Sequence, residues 1–179
     1  MIKCFIPALF IFGSFTFTQA QTSGKDLVQL VNPFIGTGGN GQIAPVASVP
    51  FGMVQVGPDT DISGVGYHHD RKTIMGFSHI HKSGGGCGDF QDILFQPTVG
   101  KVKFEPGKEE LPKSGYRSAF SHTGENAKPG YYSVLLADYN IQVALTATTH
   151  AAYHEYQFPE SDSAHIFIDL KHSNQGSCT

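Results

Sequence analysis

Two stretches gather the reactive side chains of this 179-residue chain. They are Gly66-Tyr67-His68-His69 and Gly76-Phe77-Ser78-His79-Ile80-His81-Lys82-Ser83-Gly84-Gly85-Gly86-Cys87-Gly88-Asp89. Together they hold four histidines, a tyrosine, a thiol, a carboxylate and a run of glycines. Imidazoles and carboxylates make hydrogen bonds or metal bonds, and glycine lets backbone come close to a ligand. A loop that only turns the chain has no use for so many titratable groups. Tyr67, His68, His69, His79, His81, Ser83, Cys87 and Asp89 are therefore the expected ligand-binding residues.

The residue types narrow the ligand. A tyrosine ring beside imidazoles suits a sugar, whose C–H faces pack on an aromatic ring while its hydroxyls need hydrogen-bond partners. The chain has no tryptophan, so tyrosine or phenylalanine must supply any stacking surface. His79 and His81 stand two apart, and in an extended segment both leave the same face. With Cys87 or Asp89 they could hold a metal ion, but hydrogen bonding to backbone or to a polar ligand is the preferred reading. No second histidine pair stands at a metal-site spacing, and no metal ligand is assigned.

Asp59, Asp61, Asp89 and Asp92 are the carboxylates available for acid–base work, and glycoside hydrolysis needs a pair at a defined separation. Aspartates in such surroundings read first as turn formers that bond local backbone. No catalytic residue is assigned. Ser83 lies among glycines but lacks the Gly-x-Ser-x-Gly elbow of a serine nucleophile. The stretch Asn32-Pro33-Phe34-Ile35-Gly36-Thr37-Gly38-Gly39-Asn40-Gly41 lacks the Gly-Lys-Ser/Thr ending of a phosphate-cradling loop, and no helix follows it. It reads as a glycine-rich loop bordering a site.

The elements that must position these groups are strands. Twenty-one glycines and ten prolines punctuate short runs rich in β-branched and aromatic residues. Residues 49–56, 74–79, 93–98, 102–104, 132–138, 141–149, 152–158 and 165–170 are expected strands, separated by turns at Gly57-Pro58-Asp59, Glu105-Pro106-Gly107, Lys128-Pro129-Gly130 and Tyr139-Asn140. Ile141, Val143, Leu145 and Ala147 alternate with Gln142, Ala144, Thr146 and Thr148, the pattern of a half-buried strand. Residues 106–127 are polar and read as an excursion over the surface. The expected fold is all-β, an antiparallel β-sandwich.

At the N-terminus, Lys3 precedes an apolar run from Phe5 to about Phe17 that ends in Thr18-Gln19-Ala20. Residues 1–20 read as a secretory signal peptide, too short to span a membrane. The mature chain, 21–179, is then periplasmic or secreted and has no membrane partner after cleavage. Net charge is -3 with no basic cluster along the chain, which excludes a nucleic-acid partner. Cys87 and Cys178 remain after cleavage and fit either a disulfide or two free thiols. The chain stops at Ser177-Cys178-Thr179 just after a core strand, which reads as a piece of a longer protein.

Taken in order, the motifs resemble the N-terminal domain of glycoside hydrolase family 92, the calcium-dependent exo-acting α-mannosidases. The matching pieces are Val31-Asn32-Pro33-Phe34-Ile35-Gly36-Thr37, Val49-Pro50-Phe51-Gly52-Met53-Val54-Gln55, Pro58-Asp59-Thr60 and Gly66-Tyr67-His68. They continue through Gly76-Phe77-Ser78-His79-Ile80-His81-Lys82-Ser83-Gly84, Gly88-Asp89, Pro97-Thr98-Val99-Gly100, Gly130-Tyr131-Tyr132-Ser133-Val134, Leu145-Thr146-Ala147-Thr148 and Phe158-Pro159.

The resemblance implies a β-sandwich packed against a larger (α/α)6 catalytic domain, with the pocket for α-mannoside glycans between them. It implies inversion by an acid and a base carboxylate, both in the helical domain together with most of the calcium ligands. This chain would supply one wall of the mannose pocket and be inactive alone. Two positions depart from the family pattern. Ile62-Ser63-Gly64-Val65 stands where many members carry a pocket-lining tryptophan, and His154-Glu155-Tyr156-Gln157-Phe158-Pro159 lacks an arginine common before the Tyr-x-Phe-Pro. Two further readings stay open: a free-standing carbohydrate-binding module, and a metal-dependent hydrolase using His79, His81 and Asp89.

Overall fold

A two-residue alternation of burial runs through the strands at Ile141–Ala147 and Ala152–Gln157. The computed structural model describes residues 26–84 and 91–173; the expected signal peptide, Cys87, Asp89 and Cys178 lie outside them. Ten strands occur among the described residues: β1 (Gly57–Asp59), β2 (Thr73–Ile74), β3 (Gly76–Ser78), β4 (Leu94–Val99), β5 (Ser118–Ala119), β6 (Asn126–Lys128), β7 (Tyr131–Leu136), β8 (Ile141–Ala147), β9 (Ala152–Gln157) and β10 (Ala164–Asp169). In β8, Ile141, Val143, Leu145 and Ala147 are buried while Thr146 is exposed. The strand therefore lays one face on the core, as a period of two requires.

β6, β7, β8 and β9 form an antiparallel meander in chain order. The turn between β6 and β7 is set by Pro129 and by Gly130 at φ 75°, the arrangement of a type II turn, whose third position needs positive φ. Asn140, at φ 52°, ends the turn into β8, a conformation that asparagine tolerates. The register follows, with Val134 opposite Val143 and Leu145 opposite His154.

The second sheet has the order β1-β3-β4-β10, all pairs antiparallel, and β2 pairs with β5 in a short ribbon. The two sheets close on one apolar core. Val56, Ile74 and Phe77 meet Tyr132, Val134, Leu136, Ile141, Val143 and Leu145 there, and the Phe77 and Tyr132 rings lie 6.5 Å apart. This is the expected antiparallel all-β sandwich. No helix among the described residues is long and apolar enough to cross a membrane.

Three expectations change. Residues 49–56 do not form a strand: Phe51 sits at φ 60°, Gly52 donates its N–H to the Val49 carbonyl, and only Ala47 and Val56 pair, as an isolated bridge. The strand comes one step later, at Gly57-Pro58-Asp59, where a turn was expected. Proline is tolerated there because β1 is an edge strand, where a missing N–H need not break a ladder. Residues 102–104 stay irregular. The 106–127 segment is also more than a surface excursion, because it carries β5 and β6 and buries Tyr116 and Ser118. Tyr116 joins Met75, Leu94 and Phe167 in a separate apolar cluster, a tertiary contact that the polarity of its neighbours conceals.

The shared core makes a direct prediction. Replacing Phe77 by alanine removes the ring that spans the two sheets and should cost about 3–5 kcal/mol in urea unfolding. Leu135→Ala, on the exposed face of β7, should change stability by less than about 1 kcal/mol.

Candidate functional site

The loop from Asp61 to Arg71 folds over the edge strand β1, and one contact makes this possible. Gly66 lies at φ 86°, and a Cβ there would stand 2.3 Å from the Asp59 carboxylate. Only glycine both takes that conformation and leaves room for the acid. The Gly66 carbonyl then accepts the N–H groups of Thr60 (2.7 Å) and Asp61 (2.9 Å). Those bonds fold the segment back so that Val65 and Tyr67 pack on Ala44.

Beneath the loop, Asp59 is completely buried, which corrects its reading as a turn former. Its partner is His81, whose Nε2 lies 2.9 Å from Asp59 Oδ1 while Nδ1 lies 2.8 Å from the Gln55 carbonyl. Both ring nitrogens face acceptors, so the ring donates from both and is an imidazolium. Burial alone would lower the His81 pKa, but the Asp59 charge and the two hydrogen bonds outweigh it and raise it. Burial likewise pushes Asp59 up, yet His81 and His172 overcome that and bring it down to about 2. His172 Nε2 stands 3.5 Å from the second oxygen, at ion-pair distance.

A second buried acid supports the loop from the other side. Glu125 accepts the Tyr67 hydroxyl at 3.0 Å and the Tyr132 hydroxyl at 2.7 Å. His122 Nδ1 lies 2.7 Å from the same carboxylate, and its Nε2 reaches the His69 carbonyl. Burial and the Glu125 charge both raise the Tyr67 pKa, so that hydroxyl stays a donor. The His69 ring lies flat on His122, centroids 4.0 Å apart.

Above these supports lies a concavity of about 290 Å³ lined by Thr37, Gly39, Gln42, Asp61, Tyr67, His68 and Arg71, among others. His68 donates from Nε2 to the Gly39 carbonyl (3.1 Å) and accepts the Asp70 N–H at Nδ1 (3.2 Å). Arg71 pairs with Asp61 and with Glu109. The rim therefore offers amide, hydroxyl, carboxylate and guanidinium groups around the edge of a buried tyrosine, with the His68 ring held between two backbone partners, a surface able to hydrogen-bond a polyhydroxylated ligand.

The structure divides the expected site residues. Tyr67 and His68 share the concavity, and His69 stands beside it on His122. Ser83 Oγ accepts the Ala44 N–H at 3.1 Å and so braces the loop from behind. His81 is sealed under Asp59. His79 turns elsewhere, to the space between the sheets, where its Nε2 lies 3.1 Å from His154 Nε2. Nδ1 of His79 donates to the Ile93 carbonyl, and the Tyr156 hydroxyl stands 2.7 Å from Nδ1 of His154. Burial lowers both rings, His154 to about 4 with help from His79, and both are neutral at neutral pH. His79 and His81 thus serve different partners despite their two-residue spacing.

Residue-type reasoning missed Glu125, His172, His154, Gln42 and Arg71. Only the glycine-rich stretch, read as bordering a site, hinted at Thr37 and Gly39. Among the described residues no group of three or more His, Cys, Asp or Glu gathers where it could hold a metal ion.

Residues 30–179 match the Glycosyl hydrolase family 92 N-terminal domain. A family 92 α-mannosidase of Bacteroides thetaiotaomicron, solved in complex with mannoimidazole, superposes with a TM-score of 0.81 at 44% identity, covering 83% of this chain and 20% of that one. A family 92 inverting mannosidase of Bacteroides thetaiotaomicron gives a TM-score of 0.66 at 28% identity over 82% of this chain and 20% of that one. An uncharacterized secreted glycosidase of Arthroderma benhamiae is 28% identical over 166 residues, 88% of this chain and 20% of its own length. The chain thus spans about one fifth of these relatives.

The Asp59–His81 pair should give stability a pH window. The raised His81 contributes fully below its ordinary value of 6.5, and that contribution is lost as pH rises through its higher folded value. The lowered Asp59 contributes above its ordinary 3.8 and loses that contribution as pH falls through about 2. The advantage of the native chain over Asp59→Asn should peak between those ordinary values at about 3–5 kcal/mol and shrink on either side. Urea midpoints of both proteins across pH would show it; a difference independent of pH would refute the buried ion pair.

Proposed function

The chain belongs to glycosyl hydrolase family 92 through its N-terminal domain, and from that premise we propose that it is the non-catalytic sandwich of an exported α-mannosidase. In this reading it supplies one wall of the mannose pocket and packs on a catalytic domain elsewhere in a longer protein. The observation that carries it is the concavity of Thr37, Gly39, Gln42, Asp61, Tyr67, His68 and Arg71, built on two buried carboxylates. The mannosidase relatives, one solved with mannoimidazole, support α-mannosides as the ligand class.

The state of the acids supports a non-catalytic role. Inverting hydrolysis needs one carboxylic acid and one carboxylate facing the glycosidic bond, roughly 6.5–9.5 Å apart. Asp59 and Glu125 are buried and bonded, and Asp61, at the rim, is held by Arg71 and by the Ser63 N–H. The reactive pair would then come from the partner domain, and so would most of the calcium ligands that family membership implies. Several large apolar side chains stand in solvent, among them Leu30, Ile35, Met53 and Phe51 at 71–103% exposure. Such exposure suits a surface covered by another domain. Export is supported by the N-terminal signal pattern and by the description of the Arthroderma relative as secreted.

The test sets the longer protein beside the 179-residue chain, both given α-linked mannobiose. The longer protein should hydrolyse it, and His68→Ala or Arg71→Ala should lower its kcat/KM by roughly tenfold or more. The 179-residue chain should show no turnover; hydrolysis by it alone would sink the proposed division of labour. Calorimetric titration of the same chain with mannobiose separates the remaining reading. Measurable binding would indicate a free-standing carbohydrate-binding module, and its absence an obligate half-site.

A further inference from the structure

Folding gathers cations that the linear chain keeps apart. Four of the twelve lysines and arginines of the chain, Lys101, Lys103, Lys113 and Arg117, line one concavity of about 200 Å³ with Asp138 and Tyr139. Lys101 and Lys103 follow β4. Lys113 sits on a loop that closes on itself: Tyr116 donates to the Glu105 carbonyl (2.9 Å), Arg117 to the Pro106 carbonyl (3.3 Å) and the Lys108 N–H to Ser114 Oγ (2.9 Å). The Lys103 ammonium donates to the Lys113 carbonyl, which ties the two walls together and leaves it further protons to donate.

The cations of this pocket outnumber its acids. Asp138 is the one carboxylate among its lining residues and keeps its charge while accepting the Ala119 N–H at 2.8 Å. Glu109, Asp61 and Glu110 act on Arg117 from a neighbouring concavity, where Glu109 is also bonded to Arg71 and to the Lys72 N–H. Arg117 uses Nη1 on Thr73 Oγ1 at 3.1 Å, while its buried Nε makes no hydrogen bond among the described residues. Four cations against one carboxylate leave a net positive concavity that shares no lining residue with the Tyr67–His68 rim, in a chain of net charge -3. A phosphate or sulfate monoester matches it, with oxygens to accept from ammonium and guanidinium groups at once. We infer that the concavity formed by Lys101, Lys103, Lys113 and Arg117 is a binding site for a phosphate or sulfate monoester, distinct from the mannose-facing rim.

The test uses the 179-residue chain at low ionic strength, followed by amide NMR and calorimetry. Inorganic phosphate should shift the amides of residues 101–103 and 113–117, with an affinity that falls as salt rises. Lys101→Gln/Lys113→Gln changes two exposed side chains and should keep the melting temperature while weakening phosphate by roughly tenfold or more. Lys128→Gln, elsewhere on the surface, should leave the affinity unchanged. Tighter binding of mannose 6-phosphate than of inorganic phosphate would identify a glycan-borne ester as the ligand, and equal affinity the free anion. Absence of phosphate binding at millimolar concentration, or binding that the double substitution does not weaken, would overturn the inference.

Discussion

A single buried carboxylate holds one end of this domain together. Asp59 lies with no exposed surface at the end of an edge strand, where an isolated charge would be too costly to keep. His81 answers it as a cation, the Gln55 carbonyl fixes the far side of that ring, and His172 comes in from the segment after β10. Three separated stretches of chain therefore meet at one acid. The loop carrying Tyr67 and His68 can cross above only because Gly66 leaves the carboxylate its space.

Glu125 repeats the device a short distance away. It takes two tyrosine hydroxyls and a histidine, and through Tyr67 it sets the floor of the concavity. Both acids are held by donors from their own chain. Replacing one partner of such a network leaves the other buried and unsatisfied, a larger loss than the bond itself is worth.

The histidines show how one residue type takes different roles in neighbouring surroundings. His81 is cationic because acceptors face both of its nitrogens. His79, two positions earlier, sits against Phe95 and His154, and burial outweighs the Ile93 carbonyl and the more distant Asp59 charge to keep it neutral. His68, at the rim, bonds backbone on both sides and holds Gly39 against the loop. The chemistry of each ring is assigned by its contacts.

The alternation in β8, the turns at Pro129-Gly130 and Tyr139-Asn140, and the ordered motifs from Asn32 to Pro159 made the sandwich and its family legible in the residues alone. These are local signals: a period of two and a positive φ are properties of adjacent residues, and they survive without knowledge of distant contacts. The expected strand at 49–56 and turn at Gly57-Pro58-Asp59 were misplaced because an edge strand can accept proline, and edge position is not local information. Tertiary structure alone decided that His79 and His81 part company, that Asp59 is a buried ion rather than a turn former, and that Lys101, Lys103, Lys113 and Arg117 face one another. Charge and burial depend on what lies within a few ångströms in space, and chain order does not encode those neighbours until the sheets have closed.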